Sequence, residues 1–306
     1  MSERVLAIVV THNPQIAALQ VSLRAVAQQV DAAIIIDNAS DNLDDIRALL
    51  VDIQDGSGGV LAQKENLGLG AAHNIGIRHA REHGFSHCLL LDQDSVPLDD
   101  MVRNLVTASQ RKSSANLSAV GATYINADTG GESFFVRFGW LKFRRQYCGE
   151  RDADGCIEAD FLISSGSLIS LAAIDQVGKM DESLFIDHVD TEWFLRARAK
   201  GLRAFGVCDA VMQHGLGEQT HRINLRRQRN IPQHKPFRYY YIFRNSVALY
   251  KRGYASALWK WNDLQRLILI AVMFALFKSP RRANAKMMLR GVIDGFRGVS
   301  GRVQLD

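Results

Sequence analysis

The chain has 306 residues, with 37 Lys and Arg against 32 Asp and Glu and 47% hydrophobic residues. That balance excludes a disordered chain and suits one large folded domain with an appendage. Charge is unevenly placed: residues 222–306 carry 18 Lys and Arg and three acids (Asp263, Asp294, Asp306), a net of +15, behind an acidic 1–221 with a net of −10.

The first residues, MSERVLAIVV, hold a short apolar stretch without a small-residue cleavage site and read as no signal peptide. Val5–Val10 is a continuous apolar run, as expected of a strand buried on both faces. THNP ends it, and Gln15–Gln29 reads as a helix, with Leu19, Leu23, Val26 and, just after it, Val30 at helical spacing. Ala32–Ile36 predicts a second strand, Leu43–Val51 a helix, and Val60–Ala62 a third strand. Gly70–His83 predicts a helix stopped by Gly84, and His87–Leu91 a fourth strand. This alternation implies a doubly wound, mostly parallel α/β sheet flanked by helices, with ligands at the carboxyl ends of the strands.

Further along, Leu117–Tyr124 and Phe134–Phe138 read as strands around a Gly130-Gly131 turn, and Ser164–Ser167 interrupts the apolar stretch Phe161–Ile169. Asp190–Lys200 predicts a helix ended by Gly201, and Val211–Gln213 leads to His214. The chain then turns basic and aromatic before a helical C-terminal extension. The division expected is a catalytic domain over 1–221 and a basic helical region over 222–306. The four cysteines, Cys88, Cys148, Cys156 and Cys208, form no C-x-x-C pair and are expected as free thiols of a cytoplasmic protein.

The polar residues after each strand carry the chemistry. Asp92-x-Asp94 follows HCLLL directly, and two acids one residue apart at a strand end suit a hard divalent cation such as Mg²⁺ or Mn²⁺. Thr11-His12-Asn13 and Asp37–Ser40 open onto the same edge. Glu65–Asn74 opens a helix, but His73 breaks a G-x-G-x-x-G pattern that follows the third strand and not the first, which argues against a nicotinamide or flavin role while the helix start still suits a nucleotide. Asp187, Asp190 and Glu192 form a second acidic cluster, where a carboxylate facing a hydroxyl acts as a general base and the others cap a helix. His214 is a further metal-ligand candidate.

Taken in order, VVTHN, IIDNAS, ENLGLGAAHNIGI, LLLDQDS, FLISSGSLI, LFIDHVDTEWFLRA and VMQHGLG resemble family 2 glycosyltransferases of the GT-A fold. With RYYYIFRN at Arg238–Asn245, the chain is similar to the bacterial rhamnosyltransferases among them. The resemblance implies an inverting, metal-dependent transferase that uses dTDP-rhamnose to build a bacterial surface polysaccharide, with UDP-hexose as the alternative donor. It implies nucleotide contacts at Thr11, Asn13, Asp37, Asn66, Gly68, Asn74 and Asp92, and metal ligation by Asp94, Asp92 and His214. Asp190 matches the base, with Asp187 as alternative because Val189 replaces the usual Glu; Ser165 and Gly166 lie where the sugars meet.

Arg238, Tyr240 and Arg244 are expected on the diphosphate or acceptor side. Trp259, Trp261, the run Leu267–Phe277 and the following cations fit either a helix on the inner membrane leaflet or one packed in the core or a homodimer. That run is eleven residues, short of the ~20 that span a bilayer. The implied acceptor is a glycan, lipid-linked in many such enzymes. A silent nucleotide-sugar-binding scaffold is the reading from another class, and nucleic-acid binding by the tail is not expected.

Overall fold

The computed structural model describes residues 3–53, 59–126, 133–214, 220–225 and 227–305, and the side chains of these except 50–53, 126, 214 and 220–232. The expected Gly130-Gly131 turn, Gly215–Gly217, and the side chains of His214, Arg222, Arg226, Arg227 and Arg229 lie outside the described residues.

The first part runs β1 (Val5–Thr11), α1 (Ile16–Ala27), β2 (Ala32–Asp37), α2 (Leu43–Ile53), β3 (Gly59–Ala62), α3 (Leu69–Glu82) and β4 (His87–Asp92). Then come β5 (Ser95–Pro97), α4 (Met101–Arg111), β6 (Leu117–Asn126), β7 (Phe135–Arg137), β8 (Arg144–Gln146), β9 (Cys156–Ala159) and β10 (Ser167–Ser170). After α5 (Leu171–Val177), α6 (Val189–Ala199) and β11 (Arg203–His214), the hairpin β12 (Thr220–Leu225) and β13 (Arg227–Pro232) leads to α7 (Pro236–Tyr250). The chain closes with α8 (Ala257–Ala271), a π-helical stretch Val272–Phe277 and α9 (Arg281–Arg297).

The main sheet has the order β3-β2-β1-β4-β10-β6-β11-β5, with β9 pairing β11 off that path. The expected parallel half is β3 to β4. Beyond β4 the sheet is mixed: β10 runs antiparallel to both neighbours, and β6 and β11 pair in parallel. The chain winds outward from β1 through β2 to β3, then returns to place β4 on the other side of β1. The crevice at that reversal is where an open α/β sheet receives ligands.

Alternation in β1 explains the continuous apolar run. Leu6 and Ile8 enter one core with α3, α5 and α6 residues such as Ile77, Ile174 and Trp193. Val5, Ala7 and Val9 enter the other, against Leu19 and Leu23 of α1 and Leu105 of α4. Both faces are therefore covered, and no polar alternation is needed.

In the tail, α9 closes onto α7 because Gly291 has no side chain: a Cβ there would lie 2.4 Å from the Tyr240 carbonyl oxygen. The charge boundary at 221/222 falls inside β12, so composition changes within a hairpin rather than at a structural break. No helix among the described residues is long and apolar enough to cross a membrane.

One expectation is corrected. Cys148 and Cys208 form a disulfide, with Cα atoms 5.6 Å apart, and only Cys88 and Cys156 are free and buried. The partners are 60 residues apart in sequence, and β11 brings them together, which spacing alone does not reveal. Thiol titration of the denatured, unreduced protein should count two thiols; a count of four would contradict the pairing.

Candidate active site

The carboxyl ends of β1, β2 and β4 and the start of α3 are tied into one polar frame. Thr11 Oγ1 donates to Asp37 Oδ1 at 2.8 Å, across the register pair Thr11–Asp37. The backbone N–H and the hydroxyl of Ser40 also donate to the Asp37 carboxylate, at 2.9 and 2.5 Å. Asn13, with φ 48°, holds the same loop: its Oδ1 accepts from the Asp41 N–H at 2.7 Å. Asn38 Nδ2 donates to the Gly68 carbonyl at 3.3 Å, and Asn66 Oδ1 accepts the Gly68 N–H at 2.9 Å. Gln93, between the two acids of D-x-D, accepts the His12 N–H at 2.9 Å. The loops after β1 and β4 are thereby joined across the reversal point.

Asp92 ends β4 and Asp94 occupies the turn into β5, both half-buried. β5 pairs antiparallel with β11, which sets the backbone of His214 opposite Ser95, next to Asp94. The sheet thus returns the distant His214 to the D-x-D turn.

Ser164 and Ser165 connect the D-x-D strand to the second acidic cluster. Ser165 Oγ accepts the Asp92 N–H at 3.1 Å, while the Ser164 N–H donates to Asp190 Oδ2 at 3.3 Å. Asp190 stands in the first turn of α6, where its Oδ1 also accepts the Thr191 N–H at 2.7 Å. Burial pushes its carboxyl up to about 6, and the charges of Asp187 and Asp92 add to the rise against these two hydrogen bonds. A carboxylate with its pKa near the working pH can take a proton from a hydroxyl.

Asp187 is in another state. Arg238 binds it with two nitrogens, Nη2 to Oδ1 at 2.6 Å and Nε to Oδ2 at 3.3 Å. One guanidinium thus takes both Asp187 oxygens, which favours Asp190 as the carboxylate open to an acceptor hydroxyl. Val189, which replaces the usual Glu, is buried in the core and offers no competing acid. Glu192 belongs to the packing: Arg196 and the Tyr254 hydroxyl take its carboxylate.

The loop before α6 is unusual. Phe185 has φ 64° and ψ −65°, and the Ile186 N–H reaches the Leu184 carbonyl at 2.8 Å, which defines a strained γ-turn. Asp187 and His188 also have positive φ. Asn245 of α7 donates its Nδ2 to the carbonyls of Leu184, Ile186 and Asp187 at 3.0, 2.8 and 2.9 Å. Arg244 adds bonds to the carbonyls of Ser183 and Leu184 at 3.3 and 2.8 Å. His188, pushed down to about 4 by burial with help from the Arg266 charge, lies 3.0 Å from Ser246 Oγ.

The same loop meets α3. The Phe185 carbonyl accepts the Leu69 N–H at 2.6 Å, and a Cβ on Gly68, whose φ is +87°, would sit 2.5 Å from that oxygen. Gly68 is thus required by a backbone contact.

The model of the family "Glycosyl transferase family 2" matches residues 6–178, more than half of the chain. The chain belongs to that family. This glycosyltransferase is 27% identical over 303 residues to "dTDP-rhamnosyl transferase RfbF" of Shigella flexneri, covering 98% of each chain. Its fold is that of GT-A glycosyltransferases. It is similar to the mannosyltransferase PcManGT of Pyrobaculum calidifontis, solved with GDP-Man and Mn²⁺ (TM-score 0.58, 14% identity, 97% of this chain and 88% of that one). It is also similar to S. aureus TarS 1–349 in complex with UDP-GlcNAc (TM-score 0.60, 14% identity, 97% and 81%).

Several sequence-expected contacts of this glycosyltransferase sit elsewhere. Arg244 and Tyr240 are buried at 1% and 0% exposure, so neither faces diphosphate or acceptor. Arg244 binds loop carbonyls, and the Tyr240 hydroxyl donates to Asp294 at 3.0 Å. Basic and aromatic residues in alternation looked like a ligand surface, but on a helix buried nearly all round they point inward. Arg238 stays half-exposed and binds Asp187.

Asn74 is engaged by Met180 and Glu182 rather than lying open beside the base and ribose. The Ser165 side chain is buried on Ser95 Oγ at 2.6 Å, and Gly166, with φ +82°, is closed in by Met212 and Ala122. Trp259, which the sequence left open between a lipid surface and packing within the fold, is buried at 1%. Sequence reasoning missed Asn245 and Gln93. The signal for Asn245 was an Arg-Asn pair within an aromatic helix, where buried amides serve backbone carbonyls.

Replacing Asp190 with Asn removes a carboxyl whose pKa the fold raises from 3.8 to about 6. Its charged form is disfavoured in the folded state, so the wild-type fold loses stability as pH rises through the interval between those values. Asp190→Asn should therefore melt higher at about pH 7.5, by the equivalent of up to about 3 kcal/mol, and the difference should shrink toward pH 4. Identical melting of the two proteins at both pH values would contradict the buried charge.

Proposed function

We propose that this glycosyltransferase moves L-rhamnose from dTDP-rhamnose to a glycan acceptor in bacterial surface polysaccharide synthesis, O-antigen or capsule, with inversion at the anomeric carbon. The full-length match to a relative named as a dTDP-rhamnosyl transferase supports the donor. The reaction type rests on one observation: adjacent residues, Ser164 and Ser165, bind the acid at the D-x-D strand end and the acid at the start of α6. A leaving diphosphate at Asp92 and Asp94 and an acceptor hydroxyl at Asp190 then share one crevice.

In this reading Asp190 takes the acceptor's proton as its oxygen attacks the anomeric carbon from the face opposite the diphosphate. The frame built on Thr11, Asp37, Asn38 and Ser40 shapes the nucleotide pocket, and Asn13 and Asn66 are its accessible members. Arg238 holds both oxygens of Asp187 on the acceptor side and offsets part of the charge with which Asp187 opposes ionisation of Asp190.

Asp94 and Asp92, with His214, would hold Mg²⁺ or Mn²⁺. The fit rests on the donor set: two carboxylates at one strand end are hard oxygen ligands. No group of three His, Cys, Asp or Glu side chains able to hold a metal occurs among the described residues, and the His214 side chain lies outside them. Such a cation, when bound, supplies positive charge to the departing diphosphate. Structures of GalNAc-T7 and PcManGT contain Mn²⁺, which supports this assignment. The acceptor is proposed to be lipid-linked and the enzyme to act on the cytoplasmic side.

A thermal-shift panel of nucleotide sugars with Mn²⁺ tests the donor. dTDP-rhamnose should raise the melting temperature more than UDP- or GDP-hexoses, and Asp94→Ala should lose the metal-dependent part of that rise. Asp190→Asn should keep the shift yet lose at least about 10²-fold in transfer. A rise with UDP-hexose alone would overturn the donor, and full turnover by Asp190→Asn would overturn the base.

A further inference from the structure

The C-terminal helices carry two apolar faces, and only one is buried. On α8, Trp259, Asn262, Asp263 and Leu267 face inward. The opposite side, continued by the π-helical stretch, presents Trp261, Leu264, Ile268, Val272, Leu276 and Phe277 to solvent, with exposures from 41 to 62%. Their spacing of three or four residues makes one stripe along a continuous helical rod of residues 257–277. On α9, Met287, Met288, Gly291 and Gly295 face inward, while Leu289, Ile293 and Phe296 stand exposed on the far side.

A third element, also exposed and apolar, is fastened to α8. The segment between β7 and β8 exposes Trp140 and Leu141, the former at 89%. Asn262 Nδ2 fastens that segment to α8 by donating to the Gly139 carbonyl at 2.7 Å. The six exposed apolar residues of the stripe already exceed scattered surface apolar residues, and the loop adds an exposed Trp and Leu on the same helix's neighbour.

The charge around the stripe identifies its occupant. Residues 264–293 contain no acid, and Lys278, Arg281, Arg282 and Lys286 follow the apolar run directly. Arg281, Arg282 and Lys286 are exposed, and Lys142, Arg144 and Arg145 are exposed beside Trp140. A second copy seated symmetrically on this face would set like cations against one another. An anionic lipid surface pairs with both features: the stripe enters the acyl boundary and the cations meet headgroups.

We propose that the outer face of α8 and the π-helical stretch, with the Trp140-Leu141 loop and the cations at 278–286, docks the enzyme on an anionic membrane surface, lying on it without crossing. The proposal is independent of the donor sugar and of the base.

Flotation with phosphatidylcholine vesicles, with and without phosphatidylglycerol, tests it. The wild-type chain should float with the anionic vesicles and stay behind with the neutral ones, and added salt should weaken flotation. Ile268→Glu with Leu276→Glu should lower vesicle binding at least about tenfold, as should Arg281→Glu with Arg282→Glu and Lys286→Glu. All these positions are solvent-facing, so the variants should melt as the wild type does and keep its turnover with a water-soluble acceptor.

Failure of the wild type to float on anionic vesicles, equal flotation on neutral ones, or undiminished binding by either variant would overturn the proposal. A wild-type dimer that does not bind vesicles and that Ile268→Glu dissociates would assign the face to a second copy instead. Loss of donor-induced thermal shift in the wild type would strike the proposed function and leave the docking result standing.

Discussion

One amide side chain holds the loop before α6 in shape. Asn245 donates to three carbonyls in the loop Leu184–Asp187, and Arg244 beside it adds bonds to Ser183 and Leu184. The loop needs such restraint, because a non-glycine γ-turn and two further positive-φ residues cost on the order of 1–3 kcal/mol each. Both clamping residues are almost fully buried, so their polar groups would be costly if left unpaired. The loop and the tail helix therefore specify each other. Phe185 extends the same loop to the start of α3, so the acid at α6 and the loops after β1 and β2 rest on a common support.

The C-terminal region is thus part of the active-site architecture on one side and a bare apolar surface on the other. Its inner residues, Tyr240, Arg244, Asn245 and Trp259, are buried. Its outer residues, from Trp261 to Phe277, meet solvent. Under the proposed docking, α8 would set the height above a lipid surface of the loop that α7 clamps.

The parallel half of the sheet was legible because both faces of β1, β2 and β4 are covered, which leaves apolar runs of strand length closed by polar residues. D-x-D was legible because it follows such a run directly. His214 came into place only through β5–β11 pairing, a tertiary event that no local pattern encodes. Arg244 and Tyr240 were misread because charge and aromaticity state what a side chain can bind, and burial decides what it does bind. The Cys148–Cys208 pair was missed for a related reason: closure of 60 residues depends on β11. Gly68 was read as a nucleotide contact and proves to be the space that lets Phe185 approach α3.

Whether the proposed base Asp190 depends on the tail clamp is tested most directly by Asn245→Ala, with transfer kinetics and nucleotide-sugar affinity measured on the same folded preparation. Loss of three hydrogen bonds to the loop should lower kcat at least about tenfold, leave nucleotide-sugar affinity within about twofold, and shift the acid limb of the pH–rate profile as Asp190 moves. A variant that folds and keeps the wild-type kcat and pH profile would contradict the account.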